Sequence, residues 1–246
     1  MMKRFFVFLS VLCLSSLATA QEAERPASPE RLTVIELFTS QGCSSCPPAD
    51  AALRTMRDRP GVLALSWPVD YWDRLGWEDT FADPYNAQRQ AAYNKRLGRG
   101  GVFTPQMIFD GRFECVGSRK EEVSEKIQFA RTLDRPEYTI GLDKAGDQIT
   151  LSLPQSIVNA TISVRVVWYQ ADATVEIGDG ENRGRRLHYT NVVRDFKMLD
   201  DWNGDAVTHE INTAEAPENV THIAVLLQEE YGHGPIVGAA TLSLRD

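Results

Sequence analysis

Residues 32–50 read LTVIELFTSQGCSSCPPAD, and this stretch decides how the first part of the chain folds. An apolar, β-branched run from Leu32 to Phe38 is typical of a buried strand. A polar turn, residues 39–42, leads to Cys43 and Cys46, which are separated by two serines. Two prolines, an acidic residue and the run AALRTMRDR then predict a helix that begins close to the second cysteine. The stretch therefore predicts a strand that delivers two cysteines to the start of a helix.

Two cysteines at this spacing can close a small disulfide ring and open it again, with the thiolate as the nucleophile. Cys43 lies in the turn, so we expect it to attack, while Cys46 lies one turn deeper and would resolve the mixed disulfide. The N–H groups and the dipole at the helix start favour a thiolate. Asp50 in the first turn disfavours one, so we expect a moderately acidic Cys43.

Two other interpretations of the Cys43–Cys46 pair stay open. The pair can be a structural disulfide in a binding module, or its two thiolates can hold copper(I) in a chaperone. A zinc site needs about four ligands, with imidazole or thiolate among them. All four histidines lie beyond residue 180, so zinc is disfavoured. We predict no metal site and no organic cofactor.

The first 20 residues have the pattern of a signal peptide. Residues 1–4 are basic, residues 5–17 are apolar, and Ala18-Thr19-Ala20 fits a cleavage site before Gln21. We expect a periplasmic or secreted protein without a membrane span after cleavage. Removing the segment changes the formal net charge from −8 to −10. An acidic chain without a clustered basic face is a poor candidate for binding nucleic acid or anionic membranes.

The mature chain divides into a polar leader and two predicted domains. Residues 21–31 contain two prolines and predict a disordered leader. Residues 32–134 follow the order β-α-β, helix, β-β-α, which predicts a small α/β domain with a mixed sheet and flanking helices. Residues 136–246 lack helical periodicity, and their alternating runs predict an all-β sandwich.

Thr104-Pro105 directly precedes an apolar run, residues 106–109. A proline that opens a strand after a loop is a place where a cis peptide can be held. Such a loop beside a dithiol would leave backbone groups free to pair with an extended substrate. We therefore place Thr104 and Pro105 in a substrate-binding site.

With these two features, the sequence resembles the thioredoxin superfamily. The resemblance lies in the strand-turn-CxxC segment, residues 38–46, and in GVFTP followed by IFDG and VG, residues 101–117. More closely, ELFTSQGCSSCPPAD, VDYWDRLGW, GVFTPQM, GENRGRRL and NVVR resemble a family of secreted bacterial proteins catalogued as a domain of unknown function. That resemblance covers nearly the whole mature chain. It implies a thioredoxin-like domain followed by a β-sandwich, and it supplies no established reaction.

The chain departs from thioredoxin at the acid that thioredoxin buries ahead of its dithiol. Leu37 occupies that position, and Glu36 is one residue away. Because strand residues alternate between faces, Glu36 should point to the other side. We expect Glu36 to form a surface or interdomain salt bridge rather than to relay protons.

Three further features have weaker assignments. The loop at residues 70–83 carries Trp72 and Trp77, which can wall a substrate groove or pack on the second domain. Cys115 can be a third thiol, although a buried cysteine usually acts as a small hydrophobe. The glycine-rich segment GDGENRG, residues 178–184, is expected to be a hairpin loop or an interdomain contact through Arg183 or Arg185.

These observations favour an exported thiol-disulfide oxidoreductase-like protein. Its substrates would be exported proteins or small thiols, with an unidentified redox partner. The sandwich would supply recognition or docking rather than chemistry.

Overall fold

The apolar run after Leu32 forms the strand β1 (Thr33–Thr39), in which every residue is buried. The computed structural model describes residues 31–245. The predicted signal peptide and residues 21–30 of the predicted leader lie outside the described residues. Arg31, the last residue of that leader, donates from Nη2 to the backbone oxygen of Leu133 at 3.3 Å.

Within residues 31–245, strands alternate with helices up to residue 132, and strands dominate after it. The further strands are β2 (Val62–Pro68), β3 (Gln106–Phe109), β4 (Phe113–Val116), β5 (Gly141–Ala145), β6 (Gln148–Leu153), β7 (Ser163–Glu176), β8 (Arg186–Met198), β9 (Val207–Asn212), β10 (His222–Gln228) and β11 (Ile236–Ser243). The longer helices are α1 (Pro47–Arg54), α2 (Pro84–Arg96) and α3 (Lys120–Thr132). Short helical turns occur at Asp73–Leu75, Thr213–Glu215 and Glu229–Gly232.

Eight strands form one mixed sheet in the order β11-β10-β7-β8-β2-β1-β3-β4, and β5, β6 and β9 form a second sheet. The predicted mixed sheet with flanking helices is confirmed. However, the large sheet continues past the predicted boundary at residues 134–136. The junction is a parallel pairing of β2 with β8 at Ser66 and Val192. The two halves of the chain therefore share one sheet, and their division into two domains stays a prediction.

The apolar core also joins the two halves. Phe38 of β1 belongs to the same buried cluster as Val167 of β7 and Ala224 of β10. On the opposite face of the C-terminal strands, Leu151 of the small sheet packs in a cluster with Val225 of β10. The small sheet therefore covers one face of the large sheet.

Local sequence signals set several element boundaries. α1 begins at Pro47 as expected, although Cys46 before it has right-handed helical angles (φ −78°, ψ −37°) and not the extended ones that a residue before proline favours. Asp83 caps α2 by accepting a hydrogen bond from the Tyr85 backbone N–H. Asp110 and Gly111 both have positive φ angles, and they form the predicted turn between β3 and β4.

A buried ion pair connects β1, α2 and β10. Arg89 donates from Nε to Glu36 Oε1 at 2.8 Å and from Nη2 to Glu36 Oε2 at 3.1 Å. Tyr93 donates its hydroxyl to the same carboxylate at 2.5 Å, and Gln228 accepts from Arg89 at 3.0 Å. The side chains of Glu36 and Arg89 are fully buried. Glu36 therefore forms an ion pair, but the predicted surface or interdomain location was wrong, because the pair is buried and both partners lie in the first half of the chain. Arg89 reaches the second half through Gln228.

Replacing Glu36 with alanine should lower the free energy of unfolding by about 3–5 kcal/mol, because the buried Arg89 would lose its counter-ion. Urea unfolding followed by tryptophan fluorescence measures the loss. The matched control is Glu215→Ala, which breaks an exposed pair with Lys197 and should cost about 1 kcal/mol or less. Equal losses in the two variants would contradict a stabilising role of the buried pair.

Candidate functional site

The pairing of β1 with β3 brings the two predicted site segments to one edge of the large sheet. The two strands are antiparallel, with Phe38 opposite Gln106. The end of β1, which leads to Cys43, therefore lies beside the start of β3, which follows Pro105. The Thr104-Pro105 peptide bond is cis, which confirms the prediction for this loop.

Cys43 and Cys46 form a disulfide with their Cα atoms 5.4 Å apart. Cys46 is the N-cap residue of α1, so Cys43 lies outside the helix as expected. The Sγ atom of Cys43 is 3.3 Å from the Ser45 hydroxyl. Cys43 is only 1% exposed and Cys46 is fully buried, whereas Ser44 and Ser45 between them are exposed. The disulfide is therefore shielded even though its turn reaches the surface.

Trp72 connects the disulfide turn to the cis-proline loop. Its indole Nε1 donates to the Thr104 hydroxyl at 2.7 Å. A Cβ atom at Gly42 would lie 3.1 Å from the Trp72 Cβ, so the tryptophan contacts the backbone just before Cys43. Trp72 therefore lies against both predicted site segments.

Trp77 contacts the other side of the turn. Its indole Nε1 donates to Gln41 Oε1 at 2.8 Å. Its ring lies against Gly178, where an added Cβ would come within 2.7 Å of it. The loop at residues 70–83 therefore contacts the dithiol turn and also packs on the C-terminal half, the two alternatives that its sequence suggested.

The hairpin between β7 and β8 covers the disulfide turn. Within it, the Asn182 side chain is fully buried. Its Nδ2 donates to the backbone oxygens of Gln41 at 2.9 Å and Cys43 at 3.0 Å. Arg185 donates to Asn182 Oδ1 at 2.7 Å and fixes the orientation of this amide.

The structure confirms that residues 178–184 form a hairpin loop, the first of the two predicted alternatives, but the predicted contact through Arg183 or Arg185 needs correction. Asn182 and Glu181 contact the turn, whereas Arg185 donates a hydrogen bond to the Asn182 side chain. Glu181 accepts a hydrogen bond from the Ser44 backbone N–H at 3.2 Å, and its interactions with the Ser44 side chain and with this backbone N–H lower the pKa of Glu181. Sequence reasoning missed both residues because the partners are more than 130 positions apart.

Asp50 is a buried carboxyl group one helical turn after Cys46. It accepts a hydrogen bond from the Thr39 hydroxyl at 2.8 Å. Burial raises its pKa to about 8, and the charge of Asp79 adds to the effect. Asp79 accepts from the Gln41 backbone N–H at 2.7 Å, and burial raises its own pKa to about 6.

Tyr189 of β8 lies near Asp50 and Asp79, whose charges act on its phenol group. Burial raises the pKa of its phenol, and the charges of Asp50 and Asp79 raise it further. Its hydroxyl oxygen has no hydrogen-bond partner among the described residues. The sequence alone suggests an ordinary first-turn carboxylate at Asp50. Its spacing from Cys46 and Leu53 places it on the buried face of α1, and this signal could have revealed its burial.

Cys115, the possible third thiol, lies on β4 opposite Met107. It is 3% exposed and belongs to a buried apolar cluster. Burial raises its thiol pKa to about 12, so it stays protonated at neutral pH. These properties agree with the alternative that Cys115 is a small apolar side chain of the core.

Two absences apply to residues 31–245 alone. That part of the chain holds no cluster of three or more His, Cys, Asp or Glu residues arranged to bind a metal ion. In the same residues, no helix combines the length and apolarity that crossing a bilayer requires.

Asp50 should make the stability of the oxidised protein depend on pH. Its pKa rises from 3.8 to about 8 on folding, so its contribution is full below pH 3.8 and is lost as the pH rises to about 8. Between about pH 6 and 8 the loss should approach ~1.4 kcal/mol per pH unit. Asp50→Asn should flatten the upper part of this range, above about pH 7, in urea titrations, because Asp79, with a pKa of about 6, is already largely ionised there.

The control for this titration is Asp58→Asn, which changes an exposed carboxylate whose side chain is 81% accessible. It should leave the pH dependence of stability unchanged. The same slope in wild type and in Asp50→Asn would show that Asp50 does not take up the proton.

Two solved structures resemble this fold. The crystal structure of protein AGR_C_4864 from Agrobacterium tumefaciens, a structural-genomics target, is 34% identical, with a TM-score of 0.75, and the match covers 87% of this chain and 95% of that one. HBP35 of Porphyromonas gingivalis is 14% identical, with a TM-score of 0.56 over 87% of this chain and 76% of that one. At this identity the second match shows a similar fold alone.

No curated protein matches the sequence significantly. A family profile matches residues 34–228, which span the disulfide turn, the cis-proline loop and the hairpin that covers the turn. The match includes most of the chain and nearly all of the large sheet. The protein therefore belongs to the family described as "Protein of unknown function (DUF1223)".

Proposed function

We propose that this protein is an exported thiol-disulfide oxidoreductase. In this proposal residues 32–134 are a thioredoxin-like domain and residues 136–246 are a β-sandwich domain that supplies a docking surface. The observation that carries the proposal is the position of the Cys43–Cys46 disulfide. It lies at the start of α1 and at the same sheet edge as the cis Thr104-Pro105 bond.

The proposed exchange is a two-electron reaction between two sulfur pairs. In the reduced protein, the Cys43 thiolate attacks a substrate disulfide, forms a mixed disulfide and displaces one substrate thiolate. The Cys46 thiolate then attacks Cys43 Sγ, closes the ring and releases the second substrate thiolate. The substrate gains two electrons and the Cys43–Cys46 pair loses them. The reverse sequence oxidises a substrate dithiol.

The resolving step needs a group that accepts the proton of the Cys46 thiol. Asp50 lies one helical turn away and has a pKa of about 8, close to that of an ordinary thiol, about 8.5. A matched pKa favours proton transfer in either direction near neutral pH. We therefore propose that Asp50 exchanges a proton with Cys46, accepting one in its ionised form, which is the minor form below about pH 8, while Thr39 holds its carboxyl group.

The cellular setting of the proposal comes from the first 20 residues. A signal peptide would send the protein to the periplasm or outside the cell, where disulfides persist. The substrates there would be exported proteins or small thiols, and a separate redox partner would restore the dithiol or the disulfide. N-terminal sequencing of protein recovered from the cell envelope should begin at Gln21.

Cys46→Ser should accumulate mixed disulfides through Cys43, because the resolving thiol is missing. Intact-mass measurement of the variant isolated from native cells would show the added mass of a small thiol or of an exported protein. Dithiothreitol should remove the adduct. The matched control Cys43→Ser should carry no adduct. A Cys46→Ser protein free of adducts in several extracts would count heavily against the proposed function.

A second candidate function, a binding module with a structural disulfide, is favoured by the burial of both sulfurs. The reduction potential of the Cys43–Cys46 pair separates the two functions. An exchanging dithiol should equilibrate with glutathione or dithiothreitol buffers at potentials above about −300 mV. A pair that stays oxidised far below that value is a structural link. Alkylation of the two cysteines at each poised potential, followed by mass spectrometry, gives the measurement.

A further inference from the structure

We propose that the hairpin at residues 178–184, here named the cap, restricts the dithiol to low-molecular-weight thiols and that Asn182 is the residue that sets this selectivity. The inference rests on the proposed function, since it names the substrate class of the same site. In the structure the cap contacts the disulfide turn. A small thiol would reach Cys43 after a small local movement, whereas a protein thiol would need the whole cap to move away from the turn.

The first support is the direct contact between the cap and the attacking cysteine. Asn182 donates to the backbone oxygen of Cys43 at 3.0 Å and to that of Gln41 at 2.9 Å. Beside it, Glu181 accepts from the Ser44 backbone N–H at 3.2 Å. The cap therefore holds backbone groups on both sides of Cys43.

The second support is that the cap is built as a unit. Its base is closed by the Gly184 backbone N–H, which donates to the Ile177 backbone oxygen at 2.7 Å. Trp77 packs against Gly178 and Gly180, where added Cβ atoms would lie 2.7 and 3.2 Å from the tryptophan. These short distances show that the cap packs closely on Trp77, the tryptophan that also donates to Gln41.

The third support is the exposure of the cysteines. A nucleophilic exchange needs an approach to sulfur along the disulfide axis, yet Cys43 is 1% exposed and Cys46 is fully buried. The exposed side chains of Ser44 and Ser45 show that the turn itself is at the surface. Access to the sulfurs is therefore restricted in a turn that itself reaches the surface and that the cap contacts at Gln41, Cys43 and Ser44.

The reaction that reports access is the reduction of the Cys43–Cys46 disulfide by an added dithiol. One thiolate of the reagent attacks Cys43 Sγ, and the Cys43–Cys46 bond breaks with Cys46 leaving as the thiolate. The second thiol of the reagent then attacks the mixed disulfide and closes the reagent's own disulfide. Two electrons pass to the protein, and both cysteines take protons according to pH.

The test compares a small dithiol, dithiothreitol, with a protein dithiol, reduced bacterial thioredoxin, on the oxidised full-length mature protein. Acid quenching, alkylation and mass spectrometry of the peptide with both cysteines give the rate for each reagent. In Asn182→Ala the ratio of the protein rate to the small-thiol rate should rise by about tenfold or more. The variant lacks the two ordinary hydrogen bonds that hold the cap against the disulfide turn.

Two variants control this comparison. Arg183→Ala changes an exposed cap side chain and should leave the ratio unchanged. Arg185→Ala removes the donor that orients the Asn182 amide and should raise the ratio by a smaller factor. If thermal unfolding shows that Asn182→Ala does not fold, Arg185→Ala provides the test of the proposal instead.

An unchanged ratio in folded Asn182→Ala and Arg185→Ala would overturn the proposal. Equal acceleration of both reagents would overturn it as well, because a small thiol would then need the same opening as a protein. These outcomes differ from failure of the proposed function, which an absence of adducts on Cys46→Ser would reveal. If those adducts were proteins, with the cap intact, the function would stand and the selectivity would fall.

Discussion

Arg89, which is buried against Glu36 within the first half of the chain, also binds the second half and so links the two. Glu36 lies on β1, which leads into the disulfide turn, and Arg89 lies on α2. Arg89 also reaches Gln228 at the end of β10 and the Gly232 backbone oxygen at 2.9 Å. A guanidinium fork satisfied from three segments restricts how those segments can move relative to each other. The C-terminal strands are consequently held in register with the strand that carries the dithiol.

This coupling explains how a hairpin from the second half reaches the first. β8 joins the edge of β2 at Val192, and β7 and β8 then run together beyond the sheet junction to the loop at residues 178–184. The loop meets the disulfide turn through Asn182. A site whose walls come from distant parts of the sequence needs the whole sheet to be assembled, so folding and the shielding of Cys43 depend on each other.

The sequence revealed features that neighbouring residues determine. The Asp83 cap, the turn at Asp110-Gly111 and the cis bond before Pro105 follow from local chemistry of the backbone and of proline. The pairing of β2 with β8 joins residues more than 120 positions apart. Such pairing depends on the packing of whole elements, and no local pattern encodes it. The same reason hid the contact of Asn182 with Cys43.

The two faces of β1 show how environment assigns different roles to two buried acids. Strand alternation places Glu36 on the face opposite to Leu37 and Thr39. On the first face Arg89 supplies a full counter-charge, and the carboxylate serves as a structural link. On the second face the Thr39 hydroxyl holds Asp50, which comes from α1, and burial raises the pKa of Asp50 by more than the charge of Arg54 lowers it. Burial without a paired charge raises a carboxyl pKa towards neutrality. The acid that lies four residues after Cys46 is therefore the one whose pKa burial raises.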